Sequence, residues 1–352
     1  MKTLGELIRP GFIREIGLAP STGGRRPVMY SIPRIGMHDL SNNILFKVET
    51  HELILEDNAD CLRELTNLIK AFISDSGIGI SKILGVGIGM PGFIDVVKGV
   101  NYSYLHIEGN SLVSYVGNEL NLPVYIDNDS SLIALAELRF GAARHTKNSM
   151  VLNMSWGVGL GMVLDDKIFR GHNGFAGEFS HIPLFANGKL CSCGKQGCLE
   201  TEASLTVIIE KAIQGIADGK LTKLKGLSII HLDQSIETFL AAVNHGDKFA
   251  TELLSSAAYT IGRGVAILIH ILNPEVIIIS GRGSLAGKVL QAPIQHALNE
   301  HCIPRLAANT IIRVSELGMN AQLLGAAALV MENFALDENP EPGNRTEPAY
   351  LN

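Results

Sequence analysis

The chain has 352 residues, 46% of them hydrophobic and 18% charged, and a formal net charge of -6. That apolar content is enough for ordinary buried cores, the length suggests two domains plus something extra, and disorder of the whole chain is excluded. The acidic balance excludes a wholly basic nucleic-acid binder, leaving room for a small basic patch, and no apolar run approaches the roughly 20 residues that span a bilayer.

Residues 1–34 gather Arg9, Arg14, Arg25, Arg26 and Arg34. Two alternating stretches, 12–16 and 28–32, flank a Gly/Pro-rich loop at 21–27, which predicts a β-hairpin with Arg25 and Arg26 at its tip. From Met37 the pattern is α/β, with β-rich runs at 44–48, 83–88 and 124–126 and helical stretches at 61–73 and 131–140. A second α/β unit is predicted from residue 149, opening with strands at 150–154 and 159–164 joined by a turn. Helices over 205–216, 236–244 and 251–272, a buried strand at 276–280, a strand at 311–314 and a helix over 321–334 complete it. The Pro-, Glu- and Asn-rich stretch 336–352 is expected to be disordered.

Residues 177–200 carry the strongest chemical signal. His181, Cys191, Cys193 and Cys198 lie in one Gly-rich loop and supply an imidazole and three thiolates, a donor set suited to tetrahedral Zn²⁺. Gly188, Gly194 and Gly197 let the backbone wrap around the ion. Full ligation leaves no open position, so the metal is expected to be structural. The competing readings are buried small hydrophobes or a disulfide. Cys191 and Cys193 are too close to pair comfortably, the total of 5 cysteines is odd, and no secretory signal opens the chain, so a reducing cytoplasm is expected.

Weaker signals lie elsewhere. Gly87, Gly89 and Gly92 satisfy G-x-G-x-x-G, but Pro91 interrupts it and Phe93-Ile94-Asp95 continues as an extended run, so no helix follows to hold a pyrophosphate. Asp127-Asn128-Asp129 closes a strand and opens a helix. These side chains either meet sugar hydroxyls, with one carboxylate able to act as a general base, or cap the helix, and both readings stay open. Glu178 and Glu200 divide between ligand contact and loop scaffolding in the same way. Gly157, Gly159 and Gly161, and separately Gly281 and Gly283, either approach a phosphate through backbone amides or form tight turns.

In chain order these segments resemble the ROK family, named for repressors, open reading frames and kinases. The family's G-E-x-G-H and C-x-C-G-x-x-G-C-L-E are matched at Gly177, Glu178, His181, Cys191, Cys193, Gly194, Gly197, Cys198, Leu199 and Glu200, with Ser180 in place of the usual glycine. G-I-G-M-P-G at 87–92, N-D at Asn128 and Asp129, N-P-E-V at 273–276 and L-G-A-A at 324–327 follow in family order. The resemblance implies a two-lobe actin-like ATPase (ribonuclease H-like) fold, with one lobe over 34–148, a second over 149–335 and a sugar in the cleft between them. It implies that Asn128, Asp129, Glu178, His181 and Glu200 line the sugar site, with His181 touching both metal and sugar. In a kinase Asp129 would be the base and Mg-ATP the co-substrate, with Gly157, Gly159, Gly281 and Gly283 near the nucleotide.

Departures from the family pattern separate its branches. The Asp-Gly-Gly-Thr phosphate loop of the kinases does not occur, and residues 101–105 read N-Y-S-Y-L instead of the familiar substrate loop. Gly23-Gly24-Arg25-Arg26-Pro27 resembles the wing of the winged-helix repressors, whose arginines contact phosphates or a groove. Only 22 residues precede Gly23, so residues 1–33 are expected to be a truncated winged-helix remnant, and the first strand of the first lobe is expected to be missing. The leading expectation is a cytoplasmic, homo-oligomeric, sugar-responsive repressor with a structural zinc and operator DNA as partner. A hexose or amino-sugar kinase and a sugar-binding remnant without either activity are the alternatives.

Overall fold

Hydrophobic periodicity decides the strand and helix pattern of this mixed α/β chain. The computed structural model describes residues 29–31, 34–39, 43–51, 53–55, 59–105 and 111–338. The expected hairpin strand at 12–16, Arg25 and Arg26, and residues 339–352 lie outside the described residues.

The first elements are short. β1 (Met29–Ser31) pairs antiparallel with β4 (Leu53–Leu55), while β2 (Arg34–His38) pairs antiparallel with β3 (Ile44–Thr50) across register shifts between Ile35 and His38. α1 (Ala59–Ser76) buries Cys61, Leu62, Leu65, Ile69 and Phe72, an apolar stripe at helical spacing. β5 (Val86–Met90) is followed by a small hairpin of β6 (Ile94–Asp95) and β7 (Val100–Asn101), so a strand and not a helix follows the G-x-G-x-x-G glycines. α2 (Leu112–Leu120) then leads to β8 (Val124–Asn128), which runs parallel to β5. Met90, Ile94, Leu112, Val116, Val124 and Ile126 share one core with α1.

α3 (Asp129–Phe140) joins this part to a five-stranded sheet of order β11-β10-β9-β12-β13, formed by β9 (Ser149–Met154), β10 (Val158–Leu164), β11 (Lys167–Ile168), β12 (Val276–Ser280) and β13 (Ile311–Val314). β9 and β12 are parallel and buried along their whole length, because both faces of the sheet are covered. Met150, Leu152, Met154, Ile277 and Ile279 face the larger core, and Val151, Val276 and Ile278 face the other side with Ile133 of α3. Between β11 and β12 lie α4 (Glu200–Ala203), α5 (Leu205–Ala217), α6 (Leu232–Asn244) and α7 (Lys248–Leu272). α7 is long and apolar enough to cross a membrane by length and composition alone. It is the central helix of the larger core, where Leu254, Ala258, Ile261, Val265 and Ile269 are buried. Asp247 caps its start by accepting from the Ala250 amide at 3.0 Å, and Asn273 ends it in the left-handed region.

α8 (Gln291–His301) packs along α7, and α9 (Pro304–Ala307) precedes β13. α10 (Ala321–Glu338) packs on α3 and against β2, β5 and β8, tying the two parts of the chain together. Its helical backbone includes residues 336–338, the start of the stretch expected to be disordered. The crossing is close because of Gly325, where a Cβ would lie 1.9 Å from the Leu132 carbonyl oxygen. Gly325→Ala is expected to destabilise the protein by about 1–3 kcal/mol through overpacking at this crossing. Urea unfolding measures this, and an unchanged midpoint would contradict it.

Candidate functional site: a metal-ligand cluster beside a carboxylate-lined cleft

The strand β11 runs into a long loop, and a short 3₁₀ turn (Phe179–His181) and α4 anchor its metal-ligand part at either end. Isolated bridges between Pro183 and Cys198 and between Leu190 and Gln196 fold residues 183–198 back on themselves. Gly194 and Gly197 take φ of +83° and +80°, and a Cβ on Gly197 would sit 1.9 Å from the Phe185 carbonyl oxygen, so only glycine fits that turn. The result brings His181, Cys191, Cys193 and Cys198 together, with one ligand atom from each within 4.8 Å of the others. His181 Nδ1 lies 3.5 Å from Cys191 Sγ, and Cys193 Sγ lies 3.6 Å from Cys198 Sγ. Donors about 2.0–2.3 Å from one tetrahedral ion are roughly 3.3–3.8 Å apart, so the cluster fits a metal. None of the five cysteines forms a disulfide. Burial, with Cys193 and Cys191 beside it, pushes the Cys198 thiol up to about 12.

The metal-ligand loop forms one wall of a cleft of about 1500 Å³ that also reaches β2, β5, the start of α3, the β9–β10 turn and α10. Asn128, Asp129, Glu178, His181 and Glu200 all line it. The strand β8 ends at Asn128, whose Oδ1 accepts from the Ser130 amide at 2.9 Å and caps α3, while its Nδ2 donates to the Gly92 carbonyl at 3.2 Å. The capping reading therefore describes Asn128. Asp129 differs: it accepts from the Ser130 amide at 2.7 Å and from Asn153 Nδ2 at 3.4 Å. Burial, opposed by the Ser130 hydrogen bonds and reinforced by Glu178, raises its carboxyl to about 6.

Glu200 accepts from the Val158 amide at 3.0 Å, and burial raises its pKa against that bond and a hydrogen bond to Ser180. Ser180, the residue at the family's glycine position, is thus tied to Glu200. Glu178 is raised by burial as well, and its Oε2 faces His181 Nε2 at 3.6 Å. Three carboxyl groups in one cleft, beside imidazole and amide side chains, match the needs of a polyhydroxylated ligand.

The glycines divide. Gly157, Gly159 and Gly281 line the cleft, and Gly283 is buried against Met154. Each also has a packing reason for lacking a side chain: a Cβ on Gly157 would approach Glu200 Oε1 to 2.7 Å, and one on Gly159 would collide with Ser130 Oγ. Two groups escaped the reading of the sequence. Arg170 donates to Asp127 Oδ2 through Nε at 3.0 Å and Nη2 at 2.6 Å, fastening the loop before Glu178 to the end of β8. Arg282 pairs with Asp233, which also accepts from Trp156 Nε1 at 2.9 Å, and all three line the cleft. Their partners are 43 and 49 residues or more apart in sequence and carry no local signature.

The chain is similar to known proteins along most of its length. The xylose repressor of Caldicellulosiruptor bescii is 32% identical over 352 residues, covering 94% of this chain and 87% of that protein. The glucokinase of Halalkalibacterium halodurans is 36% identical over 270 residues, covering 76% of this chain and 81% of that protein. A crystal structure of a ROK family transcriptional regulator, a homologue of the E. coli MLC protein, superimposes with a TM-score of 0.74 at 25% identity, covering 94% of this chain and 84% of that one. The ROK family profile matches residues 35–333, and with the motif cluster and the fold this shows that the chain belongs to the ROK family.

Proposed function

We propose that the chain is a sugar-responsive transcriptional regulator of the repressor branch, holding its effector in the cleft between two actin-like lobes, 34–148 and 149–335. The observation that carries this is the reach of the similarity. The match to a xylose repressor covers 94% of the chain and extends beyond the family-matched residues, whereas the match to a glucokinase covers 76%. Gly23-Gly24-Arg25-Arg26-Pro27 supports it as a wing that would meet operator DNA, with residues 1–33 as part of a winged-helix segment. In this reading the protein works as a homodimer or higher homo-oligomer.

Asp129, Glu178 and Glu200 accept from effector hydroxyls, and Asn128 shapes the floor beside them. His181, Cys191, Cys193 and Cys198 would hold a structural zinc, which supplies a fastening for the loop and no open position for catalysis. His181 is suited to bridge the two sites. Its Nδ1 faces Cys191 and its Nε2 faces Glu178 and the cleft, so the metal would orient an effector contact.

A kinase is the second reading, favoured by the glucokinase similarity and by Asp129, whose carboxyl near 6 suits a general base. Calorimetry over a panel of hexoses, pentoses and amino sugars, followed by assay of the same mixtures with Mg-ATP, separates the two. Binding of one sugar with no sugar phosphate formed is the expected result; turnover would establish the kinase. The Asp129 carboxyl also sets a pH dependence. Its ionised form accepts from hydroxyls, so sugar affinity is expected to rise as pH increases through about 6. Titrations at about pH 5 and pH 8 measure this, and equal affinities would remove Asp129 from that role.

A further inference from the structure

We propose that the cleft takes a two-ring effector, a disaccharide or aryl glycoside, with its second ring seated on an aromatic shelf formed by Phe93 and Phe175. The inference rests on the sugar-binding reading and names the ligand class for that same site.

The shelf is built from segments far apart in sequence. Phe93 and Phe175 meet edge to face with ring centroids 5.2 Å apart, and Tyr102 meets Phe175 at 6.0 Å. These rings are not core. Phe93 is 44% exposed and Tyr102 is 40% exposed, while Phe175 is half-buried. A cluster of aromatic faces left partly in water forgoes burial that the fold could have used, and such clusters mark contact surfaces.

Its position identifies the occupant. Phe93 directly follows Gly92, whose carbonyl accepts from Asn128 Nδ2, and Phe175 stands three residues before Glu178 on the loop that Arg170 fastens to Asp127. Both phenylalanines line the same cleft as Asp129, so the shelf and the polar floor belong to one cavity. A pyranose ring offers an apolar C–H face and an equatorial fringe of hydroxyls. The first matches the phenyl faces. The second would reach a polar group packed beside the shelf and outside the cleft lining, where Tyr102 Oη lies 3.3 Å from both Asp95 Oδ2 and Lys98 Nζ, and Lys98 Nζ lies 3.2 Å from Asp95. An aromatic platform with one polar rim and a contiguous floor of carboxylates is the layout for two linked rings, one stacked and one hydrogen-bonded.

The test is calorimetry of the full chain with a monosaccharide that binds, its α- and β-linked disaccharides and its 4-nitrophenyl glycosides, using wild type, Phe93→Ala and Phe175→Ala. The expected result is that one two-ring ligand binds at least about tenfold tighter than the monosaccharide, and that each alanine variant erases this margin while the monosaccharide affinity stays within about threefold. Phe93→Tyr and Phe175→Tyr keep a ring and are expected to keep the margin, which separates loss of the shelf from a disturbed fold. Equal wild-type affinities for one- and two-ring ligands, or alanine variants that weaken both alike, would overturn the second-ring seat while leaving the sugar site standing. No binding of any sugar would overturn the sugar reading and the shelf together.

Discussion

Cys193→Ser is expected to remove the metal and the sugar affinity in one step. Cys193 is the exposed member of the ligand cluster, so the substitution disturbs little packing and reports on ligation. Loss of a ligand should lower metal affinity by at least about 10–100-fold, the range seen when even an outer partner of a ligand is lost. The loop is then left to its backbone bonds, among them the bridges that fold residues 183–198 back and the Cys191 to Lys195 and Gly197 to Lys189 bonds. Because Glu178 and Glu200 flank that loop, their spacing in the cleft relaxes with it. Metal analysis of the purified variant should show well below one equivalent of zinc, and calorimetry should show at least about tenfold weaker sugar binding. Full sugar affinity in metal-free protein would break the link between the two sites.

Asp129→Asn is expected to weaken sugar binding by about 10- to 150-fold, corresponding to a charge-assisted hydrogen bond worth about 1.5–3 kcal/mol. The shape is kept, so packing against Ser130 and Asn153 changes little. The same variant should be more stable than wild type near neutral pH. The folded carboxyl titrates near 6 and the unfolded one near the ordinary aspartate value of 3.8, so the unfolded state loses its proton first. Stability therefore falls as pH rises between these values and stays lowered above them, a loss that asparagine avoids. Thermal unfolding at about pH 7 and pH 4 should show the variant's advantage shrinking at the lower pH. Equal melting temperatures at both would mean that Asp129 carries no burial penalty, and unchanged sugar affinity would place the ligand elsewhere.

The contrast between these sites shows what a linear sequence can carry. The metal-ligand cluster is legible because its ligands fall within one loop and their spacing has few other uses. The helices and strands of the second part are legible because residues such as Met150 to Met154 and Val276 to Ser280 are apolar on both faces. Asp127-Asn128-Asp129 is half legible. Capping and ligand contact use the same side chains, and only the geometry assigns Asn128 to the cap and leaves Asp129 facing the cleft. α2, with Leu112, Val116 and Leu120 buried at helical spacing, has a visible pattern but sits just after a run of mixed polar residues that obscures it. The glycines of the β9–β10 turn were ambiguous for a different reason. What a missing Cβ makes room for, such as Ser130 Oγ against Gly159, depends on a helix about 30 residues away. Arg170 with Asp127, Arg282 with Asp233, and Phe93 with Phe175 are tertiary meetings with no trace in local sequence.

The most direct measurement is fluorescence anisotropy of the full chain against DNA from its own upstream region, titrated first with salt and then with sugars. A regulator of the proposed kind should bind specifically, lose affinity as salt rises in proportion to the phosphates that residues such as Arg25 and Arg26 would neutralise, and be released by the same sugar that calorimetry identifies. Absent or salt-insensitive binding at low ionic strength would contradict a DNA-binding regulator and leave the cleft as the site of a kinase or of a sugar-binding protein without a DNA partner.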